Sequence, residues 1–294
     1  IGATTVGGMI NNVKTFASVL MPGVQHMRHT HLPEHKFVKG QPETGVEMAE
    51  DLERIAMNFG GENIAACIIE PIAGSTGTLV PPKGYLKRIR EICDKHGILL
   101  IFDEVITGWG RTGSAFAAQE WNVTPDIMTM AKATTNGVVP MGVVAVKEEI
   151  YDAVLDASTA PEGTPELFHG YTYSGIPVAV AAALAVQDIF DKEDIFKRAK
   201  EMSPYLQDGL QSLKDLKEIV SIRGYGMMGG IEIKMKDKPG KAGYQVFKHC
   251  YDAGVNFKNT GDNLIIAPQF ICEKKHIDEI IEKLRTGISN YAKS

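Results

Sequence analysis

The 294-residue chain has only four cysteines, Cys67, Cys93, Cys250 and Cys272, and no CxxC pair among them. This excludes a disulfide framework and a cysteine-based zinc site, and the thiols are expected to be reduced groups of a cytoplasmic protein. An excess of basic charge is missing too. Lysines and arginines number 31 against 36 aspartates and glutamates, for a net charge of -5. No electrostatic footprint for nucleic acid or anionic membrane results, and a small, neutral or amphoteric substrate fits better. The longest apolar run, Ile176 to Val186, has 11 residues with a proline at its second position. It is too short to span a bilayer and is expected to be a buried helix. The opening Ile1 to Gly8 lacks the charged and apolar parts of a signal peptide, and no repeat or low-complexity segment occurs.

What is present is an alternation. From Glu62 onward, short apolar runs and longer amphipathic ones take turns, which predicts an α/β fold with mostly parallel strands joined by helices. Strands are expected at Ile64 to Ile69, Ile98 to Phe102, Asp126 to Met130 and Val143 to Val146, with helices at Pro82 to His96, Lys147 to Leu155 and Pro177 to Phe190. The character then changes to charged helices around Ile195 to Leu216 and His276 to Tyr291, flanking strands Ile219 to Arg223 and Gly229 to Lys234. A boundary is therefore expected near Asp191, between a larger domain at 1–190 and a smaller C-terminal α/β domain at 191–294.

Within that pattern, Asp103 closes the run Ile98-Leu-Leu-Ile-Phe102, and Lys132 follows the strand ending at Met130, 29 residues later. Each residue alone has an ordinary reading, as a helix-capping carboxylate and as a solvated surface charge. Four apolar residues before Asp103-Glu104 also resemble the Walker B strand of a nucleotide hydrolase, but the GxxxxGK[ST] loop that such a site requires is absent. Ligands of open α/β sheets gather outside the carboxyl ends of the strands. There, an acid and a lysine are what a pyridoxal phosphate enzyme needs, one for the ring nitrogen and one for the aldehyde. Asp103 would keep the pyridine nitrogen protonated, and Lys132 would hold the aldehyde as a Schiff base and later move a proton as general acid and base.

Four ordered motifs carry a family resemblance: Glu70-Pro-Ile-Ala-Gly74, Leu99-Leu-Ile-Phe-Asp-Glu-Val-Ile-Thr-Gly-Trp-Gly-Arg-Thr-Gly113, Met130-Ala-Lys132 and His169-Gly-Tyr-Thr-Tyr-Ser-Gly175. They resemble class III pyridoxal phosphate aminotransferases, and within that class the omega-amino acid:pyruvate (β-alanine:pyruvate) group. Gly74 to Tyr85 and His29 to Glu43 are similar to that group as well. The resemblance implies a transferase fold of type I. The activity it implies moves an amino group from an ω-amino acid or amine to pyruvate, with pyridoxal 5'-phosphate as cofactor. It makes Lys132 the Schiff-base lysine, Asp103 the partner of the ring nitrogen and Val105 the apolar residue on one ring face. Thr172, with the backbone at Tyr171, is implied to reach the cofactor phosphate of a neighbouring subunit, so the active unit is expected to be a homodimer. Ala73 and Trp109 are expected in the substrate pocket, with packing roles as the plainer alternative.

The chain departs from the family pattern in three places. Lys258 stands where similar enzymes have an arginine that grips the substrate carboxylate. An ammonium is a point charge and a guanidinium a planar fork, so acid recognition is expected to be weaker or retuned. Ile176 follows Ser174-Gly175 where a histidine or asparagine is usual, which implies a local packing change. The family's upstream Gly-Ser/Thr phosphate loop and ring-stacking aromatic residue are not found in these residues, so poor cofactor retention is expected of the 294 residues alone. Related activities, a 4-aminobutyrate or diamine aminotransferase or an aminomutase, share Lys132 and Asp103. Ser75 argues against the first, because many glutamate-using relatives carry a glutamate there. A catalytically inactive fragment is the reading from outside enzymology.

The histidines at 26, 29, 31 and 35 fall within ten residues, a density that fits zinc. Pro33 and Arg28 make the loop a poor cage, and the resembling family has a similar loop without metal, so none is expected. Arg223 to Gly230 reads as a small-domain structural segment, since glycines before a strand allow close backbone approach.

Overall fold

Short apolar runs ending in an acid, separated by a glycine-bounded amphipathic run, build the strand, helix and strand unit on which the site rests. The structure, a computed structural model, describes residues 1–161, 167 and 169–293. In chain order the first elements are α1 (Gly2–Val6), α2 (Ile10–Thr15), α3 (Glu50–Phe59), β1 (Ala66–Ile69), α4 (Tyr85–His96), β2 (Leu99–Asp103), α5 (Ala117–Glu120), β3 (Ile127–Met130), β4 (Val143–Val146) and α6 (Glu148–Ala157). There follow α7 (Pro177–Lys192), α8 (Ile195–Gln211), β5 (Ile219–Tyr225), β6 (Met228–Ile233), α9 (Lys241–Asp252), β7 (Lys258–Thr260), β8 (Asn263–Ile266) and α10 (Lys274–Lys293).

The first sheet has the order β1-β2-β3-β4. Its first three strands are parallel, with Ile69 beside Phe102 and Asp103 beside Thr129, and β4 runs antiparallel to β3. Helix α4 begins at Tyr85 rather than Pro82, because Gly84 takes the left-handed conformation just before it, and Gly97 (φ 69°) ends it in the same way. Its residues Tyr85, Leu86, Ile89, Ile92 and Cys93 lie on one stripe and pack with Leu100 and Phe102 of β2. Ile89, Ile92, Leu100 and Phe102 are fully buried, and each such side chain contributes about 1.5–3 kcal/mol.

Asp126, just before β3, ties this unit together. Its Oδ2 accepts from the Leu100 N–H at 2.7 Å and from Arg90 Nη1 at 2.8 Å, and its Oδ1 accepts from Lys147 Nζ at 2.7 Å. Burial opposes the charge, but Lys147, the Leu100 N–H and Arg90 outweigh it and hold the carboxyl below the ordinary aspartate value. Removing it leaves the buried Leu100 N–H without an acceptor and Arg90 with Asp94 alone, so Asp126→Ala is expected to lose about 1–3 kcal/mol of stability. The carboxylate's contribution is present above the unfolded aspartate pKa and disappears as pH falls through the depressed folded value. Urea unfolding should therefore find the gap between parent and variant shrinking toward pH 2; a gap independent of pH would contradict the assignment.

The second sheet is antiparallel throughout, in the order β5-β6-β8-β7. Leu206 and Leu210 of α8, Val246 of α9 and Ile277, Leu284 and Ile288 of α10 pack with Ile222, Ile231 and Leu264 in one buried cluster. Arg111 links the two parts of the chain. Its Nη1 donates to the Met227 and Pro268 carbonyls at 2.8 Å, its guanidinium lies 4.3 Å from the Phe270 ring centre, and burial pulls its pKa down to about 10.

The expectation of a buried helix at Ile176 to Val186 needs correction. Ala179, Ala183, Val186 and Phe190 of α7 are buried, at helical spacing, but Val178 is 57% and Leu184 60% exposed. The alanine-rich run is apolar on all sides, and only one of its faces meets protein among the described residues.

Candidate active site

The carboxyl ends of β1, β2 and β3 converge. Glu70 directly follows Ile69 and Asp103 directly follows Phe102; these two apolar residues are register partners, so the two acids stand side by side on adjacent strands. Lys132 lies three residues beyond Thr129, the register partner of Asp103. Its backbone is left-handed (φ 51°), unusual for a lysine, and opens a short 3₁₀ turn at Lys132–Thr134. The Trp109 indole N–H donates to Thr134 Oγ1 at 2.9 Å, and the Thr134 hydroxyl donates to the Ala131 carbonyl at 3.1 Å, which clamps that turn.

Desolvation lowers the Lys132 pKa even though the residue is exposed as a whole; Asp103 and Glu70 act against the shift and Lys258 adds to it. Asp103 Oδ1 accepts from the Val105 N–H at 3.0 Å. Burial raises the Glu70 pKa, the Gly74 N–H opposes, and Asp103 pushes further up while Lys132 and Lys258 pull down. Four charged groups thus share one site. Lys258, on the edge strand β7, reaches it from the second sheet and donates from Nζ to Ser75 Oγ at 3.1 Å.

The turn between Glu70 and Leu79 carries Ala73 and Ser75. It is closed by paired Ala73 and Leu79 backbones and by the Gly74 N–H donating to Glu70 Oε2 at 3.0 Å. A Cβ at Gly74 would meet the Ile106 Cδ1 at 2.7 Å, so this turn lies in close approach to the segment after β2. Glu104 beside Asp103 faces away into the protein. Fully buried, it accepts from the Thr107 hydroxyl and from the Ala117 and Ala118 N–H groups that open α5. That is a capping role and not the water-activating position of a Walker B acid.

The structure does not bring every expected residue together. Trp109 packs on Phe116 and Phe190 and lines an apolar cavity of about 360 Å³ with Met128, Met130, Val143 and Ala183. Met128 and Met130 alternate with Thr129, so this cavity lies on the sheet face opposite Asp103. The charged cluster, not the cavity, has groups that can do chemistry. Tyr171 and Thr172 are exposed in a turn closed by Ser174, whose hydroxyl accepts from the Tyr171 N–H at 3.0 Å. Among the described residues they make no hydrogen bond or ion pair with Lys132 or Asp103. Glu70 is the member that sequence reasoning missed as a site residue. The signal was available, since it ends an apolar strand just as Asp103 does.

In the histidine segment, His35 is buried between the Thr30 and Thr44 carbonyls and the Leu32 N–H. His31 is held down to about 4 by burial and by Arg223. These contacts make the loop a structural knot.

Residues 2–288 match the family Aminotransferase class-III. The chain belongs to this family. Among class III aminotransferases it is similar to an omega-aminotransferase of Caulobacter vibrioides, with 49% identity over 97% of this chain and 64% of the relative. It is also similar to an omega-amino acid–pyruvate aminotransferase of Pseudomonas putida, with 42% identity over 96% of the chain and 63% of the relative. The chain thus spans somewhat under two thirds of the length of these relatives. A solved omega transaminase from Pseudomonas jessenii in complex with PMP superposes with a TM-score of 0.90 at 27% identity, covering all of this chain and 66% of that one. The fold is accordingly that of the type I transaminases, here a mixed sheet flanked by helices and a second, antiparallel sheet.

Proposed function

We propose that the protein moves an amino group from an ω-amino acid or amine to pyruvate, with pyridoxal 5'-phosphate as its cofactor. The observation that carries this reading is Lys132, a partly desolvated amine beside Asp103 at the carboxyl ends of adjacent parallel strands. The residues present fit the cofactor: the Lys132 side chain makes no hydrogen bond or ion pair among the described residues, and a lowered pKa increases its share of free amine. When bound, pyridoxal phosphate supplies an electron-withdrawing ring that stabilises the carbanion of an amine that has lost a proton.

Lys132 would hold the aldehyde through Nζ and, once released, carry the substrate proton on the same atom. Asp103, fixed by the Val105 N–H, would keep the proton on the ring nitrogen, and Val105 would cover one ring face. Thr172 and the Tyr171 backbone, exposed on their own chain, would bind the phosphate of a partner subunit in a homodimer. Ala73 sits in the turn beside Lys258, which suits a place in the substrate pocket. Trp109 would act on the pocket through the Lys132 turn that it clamps. We place the cofactor-binding part at 1–190, the smaller domain at 191–294 and the protein in the cytoplasm. In support, the four cysteines are free and buried, and among the described residues no helix is long and apolar enough to cross a membrane.

The names of the relatives support pyruvate as acceptor. A putrescine–pyruvate aminotransferase of Pseudomonas aeruginosa, 36% identical, is similar too, so the donor must be found by experiment. Alanine formation from pyruvate should be measured with β-alanine and with simple amines, cofactor added. No alanine from any donor would overturn the reading. Lys258 on Ser75 offers the substrate carboxylate a single cation. Lys258→Met is therefore expected to raise KM for carboxylated donors about tenfold while leaving simple amines within about twofold. Equal effects on both donor types would remove Lys258 from the carboxylate position.

A further inference from the structure

Resting on the reading of Lys132 as the reactive amine, we infer that Glu70 is a positioning residue of the same site. Its carboxyl, seated beside Asp103 on the neighbouring strand, is the second negative charge against Lys132 and Lys258, and its bond to Gly74 holds the turn that carries Ser75 to Lys258.

The geometry follows from the strand register. Neighbouring strands lie about 4.8 Å apart and residues at one level point to the same face. Glu70 and Asp103, each one step beyond the partners Ile69 and Phe102, therefore present their carboxyls together. Without Glu70, two lysines would face one acid. The charged groups acting on Lys132 are Asp103 at the end of β2, Glu70 at the end of β1 and Lys258 on β7. Asp103 and Glu70 each also bind backbone, Asp103 through the Val105 N–H next to it and Glu70 through the 3.0 Å bond from Gly74 in the turn that carries Ser75. That turn places Ser75 Oγ 3.1 Å from Lys258 Nζ, so one side chain sets the charge balance at the reactive lysine and the seat of the second lysine. Burial and Asp103 disfavour charge on Glu70, whereas Lys132 and Lys258 favour it. When charged, Glu70 stabilises the Lys132 ammonium; when neutral, it leaves the amine freer.

The test uses the cofactor-free chain. Lysine amines are labelled across a pH series and read residue by residue by peptide mass spectrometry, with Lys192 and Lys283 as references for an intact fold. Glu70→Gln keeps an oxygen for the Gly74 N–H but no charge. It should lower the Lys132 pKa, so that labelling below that pKa rises by about threefold or more, equivalent to half a unit. Lys258→Met should shift Lys132 in the opposite direction. The inference is overturned if Lys132 titrates identically in the parent and the Glu70→Gln chain with the references unchanged, or if both variants shift it the same way. The titration needs no cofactor, so its result is separate from the question of amino transfer.

Discussion

Lys132→Ala is expected to abolish amino transfer with every donor, a loss of at least about 10⁴-fold, because two tasks are lost with one side chain. The alanine has no amine to hold the cofactor aldehyde and no group to carry the substrate proton. No neighbour can replace it. Lys258 is the other lysine acting on this site, but it sits on an edge strand against Ser75. The fold should survive, since Lys132 is exposed, its side chain makes no hydrogen bond or ion pair among the described residues, and its backbone bonds are kept by alanine. Alanine contains a Cβ as lysine does, so the strain of the positive φ is unchanged. Steady-state assays of alanine formation check this; multiple turnover by a correctly folded Lys132→Ala chain would end the proposed mechanism.

The second large effect is expected at Asp103. Asparagine can still accept the Val105 N–H through its side-chain oxygen, but it has no charge to keep a ring nitrogen protonated. Losing a charge-assisted hydrogen bond costs about 1.5–3 kcal/mol, so kcat should fall by roughly ten- to hundredfold even at saturating cofactor. Asp103 also acts on Lys132 in the direction that raises its pKa, and Asp103→Asn should therefore lower the pH at which Lys132 becomes a free amine. A loss confined to cofactor affinity, with kcat unchanged at saturation, would assign Asp103 a purely structural role.

Much of this site was legible because its two central residues end apolar strands. A buried strand reads as a compact apolar run, and a charged residue at its carboxyl end stands out against it. The same rule applied to Glu70, yet the following Pro71 draws the eye to the turn, and the carboxyl's neighbours come from register, which the sequence does not print. Other features were hidden for physical reasons. Strand β7 is the polar edge segment Lys-Asn-Thr, stabilised by pairing with β8 and not by burial. Helix α9 contains Gly243, whose missing side chain lets it pack against the Gly261 carbonyl; a Cβ there would come within 2.3 Å of that oxygen. Hydropathy also misled at α7, since an apolar run does not reveal which of its faces meets protein. Trp109 and Thr134 are 25 residues apart in the chain and nothing in either motif pairs them, although their hydrogen bond braces the lysine turn.

The most direct test of the central claim is to mix the purified chain with pyridoxal phosphate, reduce it with borohydride and locate any phosphopyridoxyl group by peptide mass spectrometry. The account predicts one specific adduct, on Lys132, lost in Lys132→Ala. A specific adduct on another lysine, or none on Lys132 at saturating cofactor, would contradict it.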